Sequence, residues 1–373
     1  MKKICFVVSS PTTAQAFLKE PMQVLAQYYT IHLVVNTNNA EQLKQELPIA
    51  AVHVLPIERG INPIKDLFCL LAMIRFLQDK KFDALHSISP KAGLMAMLGG
   101  FITSVSLRTH TFTGQVWANK KGLFKGILKR MDRLISFCAT HVLVDGKSQL
   151  HFLREQGVVG IKASVLGKGS ICGVSLERFS PAATIRKERR KQLSIPSKEW
   201  VFMFLGRLNK DKGIIDLIDA FTQIDQGNFP CSLYLIGHDE EEIKNRFQTI
   251  SSKIHFIPHE KKPEELLQAC DTFCLPSYRE GFGLSVIEAS ALEKPIICSD
   301  AYGLADTIIE GQTGLRHRVG DVSDLKSKML QALQDPSAMK KMGIAGRKYI
   351  KENFEANKLL AAWESFYTKK LPL

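Results

Sequence analysis

The chain alternates short, wholly apolar runs with longer stretches of helical periodicity, and it does so twice along its length. A run that is apolar on both faces needs cover on both, and a helix after each run supplies it while carrying the chain back to start a parallel neighbour. In the first half, Lys3 to Ser9, Ile31 to Asn36, Ala51 to Pro56, Phe82 to His86, Val105 to His110 and His141 to Asp145 read as strands, separated by helical patterns such as Ile64 to Leu77 and Lys147 to Arg154. A second series runs through Trp200 to Leu205, Ser232 to Gly237, Ile254 to Pro258, Phe273 to Pro276 and Ile296 to Ser299. This order predicts an α/β protein of two parallel-sheet domains in tandem. With 373 residues, 45% of them hydrophobic, the chain can fill two cores. Ligands of open α/β sheets lie beyond the carboxyl ends of the strands, so the two domains are expected to face one another across a cleft.

The boundary falls between Gly173 and Pro196, where Arg178-Phe-Ser-Pro-Ala-Ala and the charged run Arg186 to Lys191 suit a linker followed by an exposed helix. The expected division is residues 1–175 as a first domain, 176–353 as a second, and 354–373 as a final helix that crosses back to the first. Gly167 to Gly173 imitates a phosphate loop but lacks the spacing and the apolar helix that such loops require, which makes it a hinge with Lys168 free to face the cleft.

Ser277 to Leu315 carries the densest chemistry. Gly281 and Gly283 permit backbone conformations closed to other residues, and Leu284 to Leu292 has helical periodicity, so a helix begins at about Gly283. Its first turn leaves unpaired N–H groups and a partial positive charge, which suits a phosphate or diphosphate against Gly283, Leu284 and Ser285. Glu280 precedes that anion site and Glu288 lies one turn inside the helix. A phosphate would repel either carboxylate, so each is expected to accept hydrogen bonds from hydroxyl groups, and a nucleotide sugar offers both a hexose and a ribose. Upstream, the apolar run ending at Leu205 is closed by Gly206, and Arg207 and Lys212 follow it on the loop before the helix of Ile214 to Phe221. Two cations at a strand's carboxyl end suit a diphosphate.

With these flanks the second half resembles the C-terminal half of the GT-B glycosyltransferases of family 4, whose signature is E-x7-E preceded by P-S-x-x-E-G-F-G. Glu280 and Glu288 match the acidic positions, Gly281, Phe282 and Gly283 the turn, Gly311 to Leu315 the G-x-T-G-L element, and Arg207 and Lys212 the G-R-x-x-x-x-K-G element that neutralises the donor diphosphate. The match spans roughly residues 200 to 350. The resemblance implies a GT-B fold of two Rossmann-like domains and a retaining hexosyl- or N-acetylhexosaminyltransferase. It would use a nucleoside-diphosphate sugar, with uridine as the expected base, and a lipid-linked saccharide acceptor in bacterial surface-glycan assembly. It further implies donor contacts at Gly206, Ile257, Phe282, Gly283, Leu284, Ser285 and Glu288, with Glu280, Arg207 and Lys212 at the reacting centre. Retention in such enzymes is attributed to front-face attack, in which the leaving diphosphate takes the acceptor's proton. The sequence has no D-x-D triplet, so no metal or other cofactor is expected, and Asp239 to Glu242 reads as a solvated helix start. Acceptor-side candidates lie where first-half strands end, at Ser9 and Thr12, at Lys91, and at Thr113 and Gly114. Here the chain departs from the family, with Ser9 to Thr13 in place of a glycine-rich loop and Thr113 where many members carry a histidine; His110 is the nearest catalytic substitute.

The formal charge of +13 exceeds what a diphosphate site explains. Between Trp117 and Ile135, Lys121, Lys125, Lys129 and Arg133 recur every fourth residue, opposite Leu123, Phe124, Ile127, Leu128, Met131, Leu134 and Ile135. Three readings compete: a surface helix with its apolar face in the core, a membrane-surface element near Trp117 held by anionic headgroups, and a nucleic-acid site. The last lacks any recognition motif or interleaved stacking aromatics, so no nucleic acid is expected. The eight scattered cysteines form no C-x-x-C pair and fit reduced, buried thiols. The N-terminus runs directly into a strand without a leader-like segment, and the longest apolar run, Ala92 to Val105, is too short to span a bilayer. A cytoplasmic protein, peripheral on the inner membrane, is expected. Two alternatives stay open: a sugar-nucleotide 2-epimerase of the same architecture, and a non-catalytic nucleotide-sugar-binding subunit.

Overall fold

A computed structural model describes every residue except Arg59, Asn228 and Leu373. It comprises two units, Met1–Cys172 with Asn357–Leu373, and Gly173–Ala356.

The first unit holds seven parallel strands: β1 (Lys3–Val7), β2 (Thr30–Val35), β3 (Ala51–Val54), β4 (Ala84–Ile88), β5 (Leu107–Phe112), β6 (His141–Val144) and β7 (Ala163–Val165). Their order is β3-β2-β1-β4-β5-β6-β7, so the winding reverses between β1 and β4. Right-handed crossovers then put α1 (Pro11–Phe17), α2 (Lys19–Leu25) and α3 (Ala40–Glu46) on one face, and α4 (Pro63–Lys80), α5 (Pro90–Ile102), α6 (Gly122–Cys138) and α7 (Lys147–Glu155) on the other. The core divides accordingly. Met22, Leu25 and Leu43 pack under the first face, and Met73, Met95, Ala96 and Ile135 under the second.

α5 is apolar nearly all round and buried between its neighbours, as such a helix must be. Glycine makes this approach possible: a Cβ on Gly99 would stand 2.9 Å from Met73 Cγ of α4. The sequence pattern starts a strand at Val105, but Ser104 turns the chain with φ 56° and β5 starts only at Leu107. The three-residue β7 carries no period of its own and was not foreseen.

The helix α15 (Ala356–Lys370) packs, from residue 357 onward, against the first face of this unit. Trp363 and Tyr367 are buried against Phe6 and His86, the Trp363 indole N–H donates to the Ile171 carbonyl at 2.8 Å, and the Tyr367 hydroxyl lies 2.8 Å from His86 Nδ1. Removing an indole of this size from a closed core should cost about 3–5 kcal/mol. Trp363→Ala is therefore expected to lower the unfolding free energy of the first unit by that amount and its denaturant midpoint accordingly, and an unchanged midpoint would mean that α15 is dispensable.

The second unit orders its strands β10-β9-β8-β11-β12-β13, all parallel. They are β8 (Trp200–Leu205), β9 (Cys231–Ile236), β10 (Ile254–Ile257), β11 (Thr272–Leu275), β12 (Ile296–Ser299) and β13 (Gly314–His317). Its helices are α8 (Ala183–Gln192), α9 (Ile214–Asp225), α10 (Ile243–Phe247), α11 (Pro263–Leu266), α12 (Leu284–Ala291), α13 (Val322–Gln334) and α14 (Pro336–Asn353). Gly314 and Leu315, which close the G-x-T-G-L element, begin the edge strand β13. The charged run of α8 is docked rather than loose. Arg186 and Arg190 both pair with Asp271, Arg189 pairs with Glu265, and Asp271 Oδ2 also accepts from the Val201 amide at 2.8 Å. All eight cysteines are thiols, seven of them buried and Cys172 half-buried. Among the described residues no helix is long and apolar enough to cross a membrane.

Candidate functional site

In the second unit the sheet reverses between β8 and β11, and the loops leaving those two strands meet. Close approach demands glycine at two places, at Gly213 on the β8 loop and at Gly303 on the loop after β12, both against the β11 loop. A Cβ on Gly213 would fall 2.1 Å from the Pro276 carbonyl oxygen, and one on Gly303 would fall 2.1 Å from the Glu280 carbonyl oxygen. No side chain fits either gap. The loops are also tied by hydrogen bonds, from the Tyr278 amide to the Asp211 carbonyl at 2.9 Å, from the Tyr278 hydroxyl to Asp216 at 2.8 Å, and from Arg279 Nη2 to Asp211 at 2.8 Å.

This packing brings Lys212 to Glu280. The two form an ion pair with side chains 19% and 11% exposed, and the Ser277 hydroxyl donates to the same Glu280 oxygen at 2.8 Å. Asn209 accepts from the Lys212 amide and so fixes the short turn Lys210–Lys212 that aims the ammonium. Arg207 reaches the opposite way and donates to both oxygens of Glu240 at 3.0 Å, where Asn209 Nδ2 adds a third hydrogen bond at 2.7 Å. Burial works to raise the Glu240 pKa, but the bonds from Asn209 and Arg207 outweigh it and hold the carboxyl below its ordinary value. Arg207 and Lys212 therefore each have their own carboxylate. Glu240 corrects the sequence reading of Asp239 to Glu242: Asp239 does cap the start of α10, accepting from Ile243 and Lys244 at 2.9 Å, whereas Glu240 belongs to the site.

The start of α12 completes this edge. Gly283, left-handed at φ 68°, forms its N-cap without any side-chain hydrogen bond, leaving the Leu284 and Ser285 amides without a capping acceptor. Glu288 lies on this helix, open at one side yet crowded by its surroundings; burial lifts its carboxyl to about 7, against the pull of Arg178. Among the described residues nothing donates a hydrogen bond to it. Ile257 ends the edge strand β10, its carbonyl accepting from Gly237 at 3.0 Å. Gly206 follows β8 and donates to Ile236. Phe282 departs from its expected place: its ring is buried edge-on to Phe354, 5.0 Å away, so only its backbone borders the helix start.

The first unit treats its candidates differently. Ser9 leaves β1 at the reversal point, its hydroxyl 3.1 Å from that of Ser89 beyond β4, and Thr12 is exposed on α1. Thr113 and Gly114 follow β5 and are half-exposed. Lys91 is buried, tied to Asp66 and to the Gly60 carbonyl, which makes it a strut between α5 and α4 rather than a free cation. His110 corrects the sequence reading most. It is wholly buried inside β5, its Nδ1 is 2.8 Å from the Ser87 hydroxyl, and a Cβ on Gly93 would stand 2.4 Å from its ring. Burial depresses its pKa to about 3. An imidazole sealed from any acceptor and so weakly basic cannot serve as a general base, so His110 is a core residue.

Two family models cover most of the chain, glycosyl transferases group 1 over residues 185–349 and glycosyl transferase 4-like over residues 3–137. The capsular polysaccharide biosynthesis glycosyltransferase CapM of Staphylococcus aureus is 31% identical over 90% of this chain and 89% of its own. The chain belongs to the group 1 glycosyl transferases. An Escherichia coli enzyme described as UDP-Gal:alpha-D-GlcNAc-diphosphoundecaprenol alpha-1,3-galactosyltransferase is 25% identical over 77% of this chain and 76% of its own. Anabaena HepE, solved with UDP and glucose, shares the fold with a TM-score of 0.82 at 15% identity, covering 99% of this chain and 100% of that one. The GT-B class with two Rossmann-like domains is thereby shown.

In this glycosyltransferase the basic helix is neither of the simple forms expected. α6 begins only at Gly122, and Trp117 lies before it, buried, with its indole N–H donating to Asp132 at 2.7 Å. Trp117 is therefore not a membrane anchor. Lys129 bonds Gln156 at 2.9 Å and Arg133 bonds the carbonyls of Gln156 and Gly157, so these two hold the end of α7, while Lys121 stays exposed and Lys125 half-exposed. Nor is the apolar face wholly in the core: Ile135 and Leu128 pack there, but Leu123, Phe124 and Ile127 face solvent. Glu240, Asn209 and Ser277 were missed as site residues. The only sequence signal for Glu240 was its position after the Gly237 that ends β9, the neighbour of β8.

Proposed function

We propose that this glycosyltransferase moves a hexose or N-acetylhexosamine from a UDP-sugar to a lipid-linked saccharide, with retention, on the cytoplasmic face of a bacterial membrane during surface-glycan assembly. One observation carries the reading: two cations, each neutralised by its own carboxylate, stand at the same sheet edge as an uncapped helix start. A diphosphate replaces both carboxylates as the anionic partner. Arg207, Lys212 and the amides of Leu284 and Ser285 then meet the charge that grows on the leaving group. Glu280, released from Lys212, accepts from sugar hydroxyls, and Glu288 accepts from the ribose. With His110 sealed in the core, the leaving diphosphate is the base that takes the acceptor's proton, and no protein nucleophile or metal enters the scheme. The UDP donor and the diphosphoundecaprenol-linked acceptor in the name of the Escherichia coli relative support the choice of substrates.

The test is a thermal-shift panel of nucleotide sugars on the full chain. A bound donor at a hundred times its Kd should stabilise by about 2.7 kcal/mol. If no sugar nucleotide raises the midpoint, the reading fails; product formed from donor without acceptor would point to the epimerase instead.

Glu288 gives the panel a pH signature. The ribose needs the ionised carboxylate, and burial has raised this group to about 7 in the ligand-free protein. Donor affinity is thus expected to weaken as pH falls through 7, by about tenfold per unit at the limit. Glu288→Gln should abolish that slope, measured by calorimetry in two buffers, and a flat wild-type profile would remove the carboxylate from the donor site.

A further inference from the structure

A soluble surface normally scatters its large apolar side chains. Here they are concentrated. On α4 and the residue pair before it, Ile61, Ile64, Leu67, Phe68 and Leu71 are all exposed, Ile64 by 71% and Phe68 by 67%. Their spacing of three and four residues makes one stripe along the first half of the helix. The opposite stripe, Cys69, Met73 and Leu77, fills the core, so α4 is apolar on both sides. On α6, Leu123, exposed by 78%, with Phe124 and Ile127 forms a second outward cluster.

Topology joins the two. α4, α5 and α6 cover one face of one sheet, with α5 buried between the others. Each follows a strand, so all three start at the strands' carboxyl edge, where Ser9 and Thr113 also lie. Both exposed clusters occupy the starting halves of their helices. They share one rim of the unit, beside the loops expected to take the acceptor.

Charge decides what covers this rim. Lys120, Lys121 and Arg130 are exposed and Lys125 half-exposed around the α6 cluster. The one carboxylate within α6, Asp132, is buried on Trp117. On α4, Asp66 is held by Lys91, and Glu58 just upstream is held by Lys65. A second copy of this chain would oppose cations to cations. An apolar ridge with a cationic collar, whose neighbouring carboxylates are each paired with a lysine or an indole, matches instead the two layers of an anionic bilayer surface, phosphate outside and acyl chains beneath.

We propose that α4 and the start of α6 form one membrane-docking surface, in which Ile64, Leu67, Phe68, Leu71, Leu123 and Phe124 enter the acyl boundary of an anionic phospholipid bilayer while Lys120, Lys121, Lys125 and Arg130 bind its headgroups. The proposal borrows from the proposed function only that the acceptor is lipid-linked. It makes the apolar stripe of α4, rather than the basic stripe of α6 alone, the element that holds the protein to lipid.

The experiment is flotation of the purified full chain with vesicles of phosphatidylcholine, alone and mixed with phosphatidylglycerol. The wild type should float with the mixed vesicles and remain dense with the neutral ones. Ile64→Glu with Phe68→Glu should lower partitioning by about tenfold or more, and Lys121→Gln and Lys125→Gln by about fivefold each at low salt. All four sites are at the surface, and each variant should keep the wild-type melting midpoint and donor-induced shift, which separates lost docking from lost folding. Failure of the wild type to float, flotation of Ile64→Glu/Phe68→Glu at wild-type level, or a dimer in light scattering that these substitutions dissociate would each overturn the surface. Flotation without any donor-induced shift would leave the surface standing and remove the donor reading instead.

Discussion

Replacing Lys212 with methionine is expected to lower kcat by about 10²- to 10³-fold, the loss typical of one group that stabilises charge on a leaving oxygen. Methionine keeps the length and most of the volume of the stem, so the change removes the ammonium and little else. In the ligand-free protein that ammonium is committed to Glu280 in a pair mostly shielded from water. The substitution should therefore also destabilise, because it strands a carboxylate that, among the described residues, the Ser277 hydroxyl alone still satisfies. Lys212→Met with Glu280→Gln separates the two effects. The double variant removes both charges, so its melting midpoint should recover toward wild type while its turnover does not, a non-additivity expected of residues in direct contact. If Lys212→Met turns over within a few-fold of wild type, the ammonium is a structural tie between two loops and the donor reading loses its main support.

The second large effect is acid sensitivity of the first unit. His86 and His110 are both wholly buried, and burial depresses each to a pKa of about 3. The unfolded chain would protonate both near 6.5. Because the folded value is the lower one, their contribution is fully present above about pH 6.5 and is lost progressively as pH falls toward 3. At 1.36 kcal/mol per unit, each ring is worth on the order of 4–5 kcal/mol across that window, enough together to exhaust the stability of an ordinary domain. Carboxylates protonate in the lower part of the same range, so the midpoint alone is not diagnostic. The slope is. Of the protons that the wild type takes up on unfolding near pH 5, His86 and His110 should account for nearly two, beside those of His53 and the carboxylates, and His86→Phe should remove one although it leaves the Tyr367 and Thr111 hydroxyls poorly satisfied. An unchanged slope would mean that His86 already titrates in the folded protein.

Much of this architecture is written in local pattern. Eleven strands announce themselves as apolar runs, and the start of α12 is fixed by Gly283, because few other residues adopt its backbone conformation. The strands that escaped, β7 and β13, have three and four residues and lie at sheet edges, too short for any period to register. At the site, the residues that had to be read one at a time were legible, while their partners were not. Lys212 and Glu280 stand 68 positions apart, and Arg207 and Glu240 stand 33 apart. Only the sheet order brings them together. Burial misled in both directions. His110 reads as the end of a strand, where a catalytic group would sit, yet β5 runs on to Phe112 and the imidazole turns inward against Gly93. The apolar positions of α4 and α6 follow the periodicity of core-facing helices, and periodicity alone cannot distinguish a stripe that meets protein from one that meets solvent.

The buried thiols give the molecule its own reporters. Cys5, Cys69 and Cys138 lie in the first unit, and Cys231, Cys270, Cys274 and Cys298 in the second. Burial raises every one of them, Cys270 and Cys298 to about 12 and Cys231 to about 11, so thiolate, the form that reacts with disulfide reagents, is scarce while the fold is closed. Labelling must then wait for each unit to open, and peptide mapping of the modified positions would clock the opening of the two halves separately, without a single engineered residue.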